Sequence, residues 1–155
     1  MTLKITAAFA AAFLANAALA DGHATGDAAK GEKDFRNCKS CHMIQDDEGN
    51  NIVKGGKAGP NLYGLVGRQA GTVEGFRYGK SLVQAGEAGL VWDETEFVVY
   101  VKDPKAYLQT YLDDSKAKSK MSFKLKKGGE NIWAYLVSVS PDIDTDAAGE
   151  ADVTN

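Results

Sequence analysis

The chain has 155 residues, 44% of them hydrophobic, with 18 Lys and Arg against 21 Asp and Glu for a formal net charge of −3. That length fits one domain of ordinary size and argues against a second, and the acidic balance without an extended basic stripe argues against nucleic-acid binding. Only two Cys and two His are present, so a closed zinc site would have to recruit all four.

Lys4, the apolar run from Ile5 to Leu19 and the small-x-small signal Ala18-Leu19-Ala20 together read as a secretory signal peptide over residues 1–20, cut before Asp21. The run is shorter than the ~20 residues of a bilayer span, and no later segment is apolar enough to cross one. The mature protein is therefore expected to be exported and not membrane-embedded.

Asp27 is predicted to cap a first helix on which Gly31, Phe35 and Cys38 share a face. The helix runs into Cys38-Lys39-Ser40-Cys41-His42, which reads as a covalent haem-attachment site. Two thiols on one turn can each add across a vinyl group of the same porphyrin, and the next residue offers an imidazole to the iron. A thioredoxin-like redox pair expects a βαβ context that is lacking here, and a disulfide across so small a loop gains little from loop-closure entropy.

From Gly49 to Gly75 the glycine density predicts irregular backbone wrapped around something, a haem being a natural object. Asp93-Glu94-Thr95-Glu96 is a helix start with Glu96 at the capping-box position, followed by the apolar face Phe97, Val98, Tyr100 and Val101; Pro104 marks its end or a new start. A last helix opens near Gly128-Gly129-Glu130, with Ile132, Tyr135, Leu136 and Val139 at helical spacing. No alternating Val/Ile/Thr run argues for a sheet, so the domain over residues 21–140 is predicted to be all-α. Residues 141–155 carry Asp142, Asp144, Asp146, Glu150 and Asp152 with no base, and read as a disordered acidic tail. Lysines crowd instead around Met121.

The residue on the second axial face of the iron decides between electron transfer and catalysis. Met1 leaves with the signal peptide, Met43 adjoins His42 and cannot reach the opposite face, and His23 lies near the start of the mature chain between Gly22 and Gly26. Met121 remains, in a polar stretch where a core methionine filling a gap is the plainer alternative. A His42/Met121 pair would raise the reduction potential and leave no open position for oxygen or peroxide. Were Met121 labile, the same chain would read as a haem enzyme or gas-binding domain.

With these motifs in order, residues 26–140 resemble the class I c-type cytochromes, in particular the long bacterial cytochrome c2 and c550 proteins. The resemblance implies a fold of helices and Gly-rich loops around one haem c, attached through Cys38 and Cys41. Gly59-Pro60-Asn61-Leu62 resembles the loop in which the proline carbonyl accepts a hydrogen bond from the proximal imidazole. Arg68, Tyr78 and Trp92 resemble the residues that satisfy a buried haem propionate. Tyr100 resembles the tyrosine beside the sulfur ligand, and Ser119, Met121 and Phe123 resemble the distal loop, with Phe123 near the exposed haem edge. Gly31 and Phe35 against Ile132 and Tyr135 look like the crossing of first and last helices. Stretches around Gln45–Gly55 and Leu112–Lys118 look like the insertions of long bacterial members.

The function so implied is that of a monomeric periplasmic one-electron carrier, not an enzyme. Its donor would be a bc1-type complex and its acceptor a photosynthetic reaction centre or terminal oxidase. Lys33, Lys57, Lys105, Lys120, Lys124 and Lys127 resemble the lysines that ring the haem edge in the family and would steer docking to acidic partners.

Overall fold

In the computed structural model, which describes residues 24–140, helix α1 (Ala28–Asp34) begins at Asp27, whose carboxylate accepts the Lys30 N–H at 3.0 Å. The predicted signal peptide 1–20, His23 and the acidic stretch 141–155 lie outside the described residues. A 3-10 turn, Phe35–Asn37, follows directly and delivers the chain to Cys38, as the helical spacing of Gly31, Phe35 and Cys38 predicts.

The C-terminal helix α5 (Gly129–Val139) packs across α1. Gly31 is the contact point: a Cβ there would stand 1.8 Å from the Asn131 carbonyl oxygen, so only glycine lets the two backbones approach this closely. Around the crossing Phe35, at 1% exposure, meets Tyr135 edge to face with ring centroids 5.7 Å apart, above the fully buried Ile132 and Leu136.

Helix α3 (Glu94–Lys102) is capped by Asp93, which accepts the Glu96 N–H at 2.7 Å. The predicted capping box is only half made, because the Glu96 carboxylate turns away to accept the Tyr107 hydroxyl. Pro104 proves to be a new start: it opens α4 (Pro104–Tyr111), where its missing N–H costs nothing, and Asp103 caps the helix through Ala106 N–H at 3.1 Å. Phe97 of α3 rests on Trp133 of α5 at 5.4 Å. Trp92, Tyr100, Tyr107 and Tyr111 then form an aromatic column with successive centroid separations of 5.0, 5.5 and 5.7 Å.

Two elements depart from the sequence expectation. Within the supposedly irregular glycine-rich stretch, Asn51–Val53 forms strand β2 and pairs antiparallel with β1 (Ile44–Gln45), with a register irregularity between the two β1 residues. This hairpin is what the first predicted insertion builds: Asp46 at its turn accepts the amides of Glu48 and Asn50, a local closure too short to show as alternation. Helix α2 (Lys80–Glu87) was hidden by the glycines at and beyond its ends. Tertiary contact holds it in place: Gly86 packs against the Ala70 carbonyl, and Gln69 Nε2 donates to Gly86 O at 2.8 Å. The second insertion, after α4, is a turn in which Asp113 takes a left-handed φ of 48° and Asp114 accepts the Lys116 N–H.

Candidate functional site

Cys38, Cys41 and His42 follow α1 on a tight turn in which the amides of Cys41 and His42 both donate to the Cys38 carbonyl, at 3.0 and 2.9 Å. The glycine-rich stretch first wraps this turn itself. Gly56 N–H donates to Lys39 O and Gly59 N–H to Cys41 O, and a Cβ at Gly55 would sit 1.9 Å from the His42 carbonyl oxygen. Side chains larger than hydrogen would push the wrap off the attachment segment.

His42 Nδ1 lies 2.9 Å from Pro60 O. A carbonyl only accepts, so Nδ1 carries the proton and Nε2 keeps its lone pair for a metal. Burial lowers the His42 pKa, the Pro60 carbonyl offsetting part of this, so the ring is held in the neutral form that binds iron. Gly59 completes the cradle: its Cβ would fall 2.3 Å from His42 Cε1, leaving the ring no room to turn. Before any attachment, burial, with Asp34 and Cys41 nearby, pushes the Cys38 thiol up to about 11, while Cys41 is exposed.

Asn61 is the residue that sequence reasoning quoted but assigned no role. Its Oδ1 accepts from Gln45 and Tyr63 amides and its Nδ2 donates to Gln45 O at 2.6 Å, tying the Pro60 loop to β1. Arg68 clamps the same loop, donating to Tyr63 O at 2.9 Å and Asn61 O at 3.2 Å. Burial lowers the pKa of Arg68, and Tyr78 stands close enough to interact with it electrostatically. The guanidinium thus spends two donors on backbone and keeps others for an anion. Trp92 is buried against Tyr100; Tyr100 is raised by burial, with Ser119 facing its hydroxyl. Ser119 Oγ accepts the Met121 N–H at 3.1 Å, Met121 is half-buried against the core, and Phe123 is 44% exposed.

The donor set fits a haem of the c type: two thiols on one turn, a neutral imidazole with a free Nε2, and a cationic, aromatic surround suited to a carboxylate. No family model matches the chain. Among curated relatives, cytochrome c-551 of Roseobacter denitrificans is 67% identical over 117 residues, covering 76% of this chain and 84% of its own. Cytochrome c2 of Rhodobacter capsulatus is 53% identical over 139 residues, 90% of this chain and 98% of its own. The chain belongs to the cytochrome c2/c-550 family.

Solved structures agree in fold. The cytochrome c2 of Rhodobacter capsulatus matches with a TM-score of 0.72 at 58% identity, over 74% of this chain and 98% of that one. The ferric cytochrome c-550 from Paracoccus versutus matches with a TM-score of 0.73 at 52% identity, over 75% and 99%. As a class I cytochrome c, the chain carries one haem c bound covalently through Cys38 and Cys41 and is an electron carrier rather than an enzyme. Among the described residues no helix is long and apolar enough to cross a membrane.

The six lysines named from the cytochrome resemblance are all exposed, yet two are engaged. Lys120 Nζ donates to Arg77 O at 2.6 Å, and Lys124 Nζ lies 2.5 Å from Asp103 Oδ2. Lys33, Lys57, Lys105 and Lys127 project from α1, the glycine-rich loop, α4 and the turn before α5.

Proposed function

We propose that the mature chain, after loss of residues 1–20, shuttles single electrons through the periplasm from a bc1-type complex to a photosynthetic reaction centre or terminal oxidase, as a monomer. His42 through its free Nε2 and Met121 through its thioether would be the residues that hold the haem iron. The bound haem supplies the Fe(II)/Fe(III) couple; the protein sets its potential and keeps other ligands away. The observation that carries this reading is the His42–Pro60 hydrogen bond, which fixes a neutral imidazole with Nε2 available and raises its basicity. Met121, half-buried in a loop tethered through Ser119, is the thioether that completes a closed, low-spin pair.

The remaining residues divide the supporting work. Arg68, Tyr78 and Trp92 meet a haem propionate, Tyr100 and Ser119 hold the polar surround of the sulfur, and Phe123 lies at the edge where electrons pass. Lys33, Lys57, Lys105 and Lys127 guide that edge to acidic partners. Stopped-flow oxidation and reduction by isolated membranes tests the proposal. Rates at low salt that fall steeply with ionic strength, and fall further when Lys127 or Lys105 becomes Glu, support it; rates indifferent to salt and to both substitutions would contradict it.

A further inference from the structure

The segment bearing Met121 is tied down on its downstream side by two bonds to the α3–α4 junction. Leu125 N–H donates to Val101 O at 2.8 Å, and Lys124 Nζ lies 2.5 Å from Asp103 Oδ2. Asp103 is the residue on which α3 ends and α4 begins, and its other oxygen, Oδ1, caps α4 through Ala106 N–H. One carboxylate therefore joins a helix terminus, fixed by the packing of α4, to a lysine three residues beyond Met121. The Lys124 ammonium and the Ala106 amide hold the Asp103 pKa below the usual carboxylate range, so the carboxylate is charged at neutral pH.

We propose that Asp103 and Lys124 form a latch that holds the Met121 segment closed, making Asp103 a positioning residue for the axial thioether. The inference rests on Met121 being the iron ligand and adds the element that restrains it. Swinging Met121 away moves the backbone that follows it and pulls Lys124 from Asp103. Both side chains are partly open to solvent, at 59% and 37% exposure, so the latch is weak and screened by salt. A weak latch suits a loop that must stay shut without stiffening the domain. It also removes Lys124 from the lysines available to a docking partner.

The test is a titration of the ferric holoprotein with imidazole at about pH 8, where this competitor for the iron is mostly uncharged, following the iron–sulfur charge-transfer band. Asp103→Asn keeps an oxygen to cap α4 and loses the charge; Lys124→Gln loses the other half of the pair from an exposed position. Each variant is expected to retain the band without imidazole and to bind imidazole about two- to five-fold more tightly than the parent, as fits an exposed ion pair. The double variant should gain nothing beyond either single change. Parent affinity should rise with added salt while the variants respond little. Parent-like affinity in both variants, with the band present throughout, would overturn the latch alone. A parent that lacks the band and binds imidazole as readily as Met121→Ala would instead remove the ligand assignment, and the latch with it.

Discussion

Replacing Gly31 by Ala sets helix propensity against packing, and the structure says which wins. In isolation the change favours α1 by about 1 kcal/mol. At the crossing, the new Cβ would meet Asn131 O at 1.8 Å, Asn131 C at 2.5 Å and Tyr135 Cβ at 2.8 Å, none of them the movable end of a side chain. Reaching the 3.0 Å that real Cβ atoms keep requires the helices to part by about 1.2 Å. A radial gap of 0.5–1 Å already forfeits roughly a quarter to a half of a dispersion contact, and Phe35, Ile132, Tyr135 and Leu136 all pack around this crossing. Overpacking costs about 1–3 kcal/mol where side chains can yield, and a backbone obstacle puts this site at the upper end. The expected net loss is about 2 kcal/mol after the propensity gain. Guanidinium unfolding of the holoprotein measures it, with Glu32→Ala, on the exposed side of the same helix, as a control expected within about 0.5 kcal/mol of the parent. A midpoint for Gly31→Ala equal to or above the parent's would refute the close-approach argument.

Gly59→Ala drives a methyl into the His42 ring and should weaken the His42–Pro60 hydrogen bond, making the iron about ten-fold easier to capture with exogenous ligands; an unchanged, slowly exchanging Nδ1–H resonance would contradict this. Phe35→Ala should cost about 3–5 kcal/mol in the same unfolding assay, since the ring is buried at the helix crossing. Burial raises the pKa of Tyr78, Tyr100, Tyr107 and Tyr135, and for Tyr107 the Glu96 carboxylate raises it further. These phenols stay protonated in the fold while the unfolded chain ionises near about pH 10, so their contribution is complete below that pH and is lost as pH rises above it. Denaturation midpoints should drop between about pH 9 and 11, less steeply in Tyr107→Phe; a flat profile for the parent would count against these environments.

The attachment site was legible in five consecutive residues because its chemistry is local: the thiols and imidazole must follow one another on one turn. The faces of the first and last helices were legible in their helical spacing, while their crossing at Gly31 was implied by the family resemblance and is what the fold shows. What sequence missed depends on partners distant in the chain. Helix α2 is short, bordered by glycines and held by Ala70 and Gln69 rather than by propensity. The role of Asn61 exists only because β1 lies beside it; the β1–β2 hairpin is the exception, closed locally by the Asp46 side chain and too short to show as alternation. Glu96 matched a capping box by position, but a buried tyrosine hydroxyl in α4 competed for its carboxylate and won. Lys124 looked like its neighbours in sequence, and only the fold brings Asp103 to it.

The most direct test of the account is the absorption spectrum of the purified ferric protein, taken with an acid–acetone extraction of the same sample. The expected result is a weak iron–sulfur charge-transfer band that vanishes in Met121→Ala, and haem that remains with the polypeptide. A high-spin spectrum without that band would take Met121 off the iron, and haem released into the acetone would contradict attachment through Cys38 and Cys41.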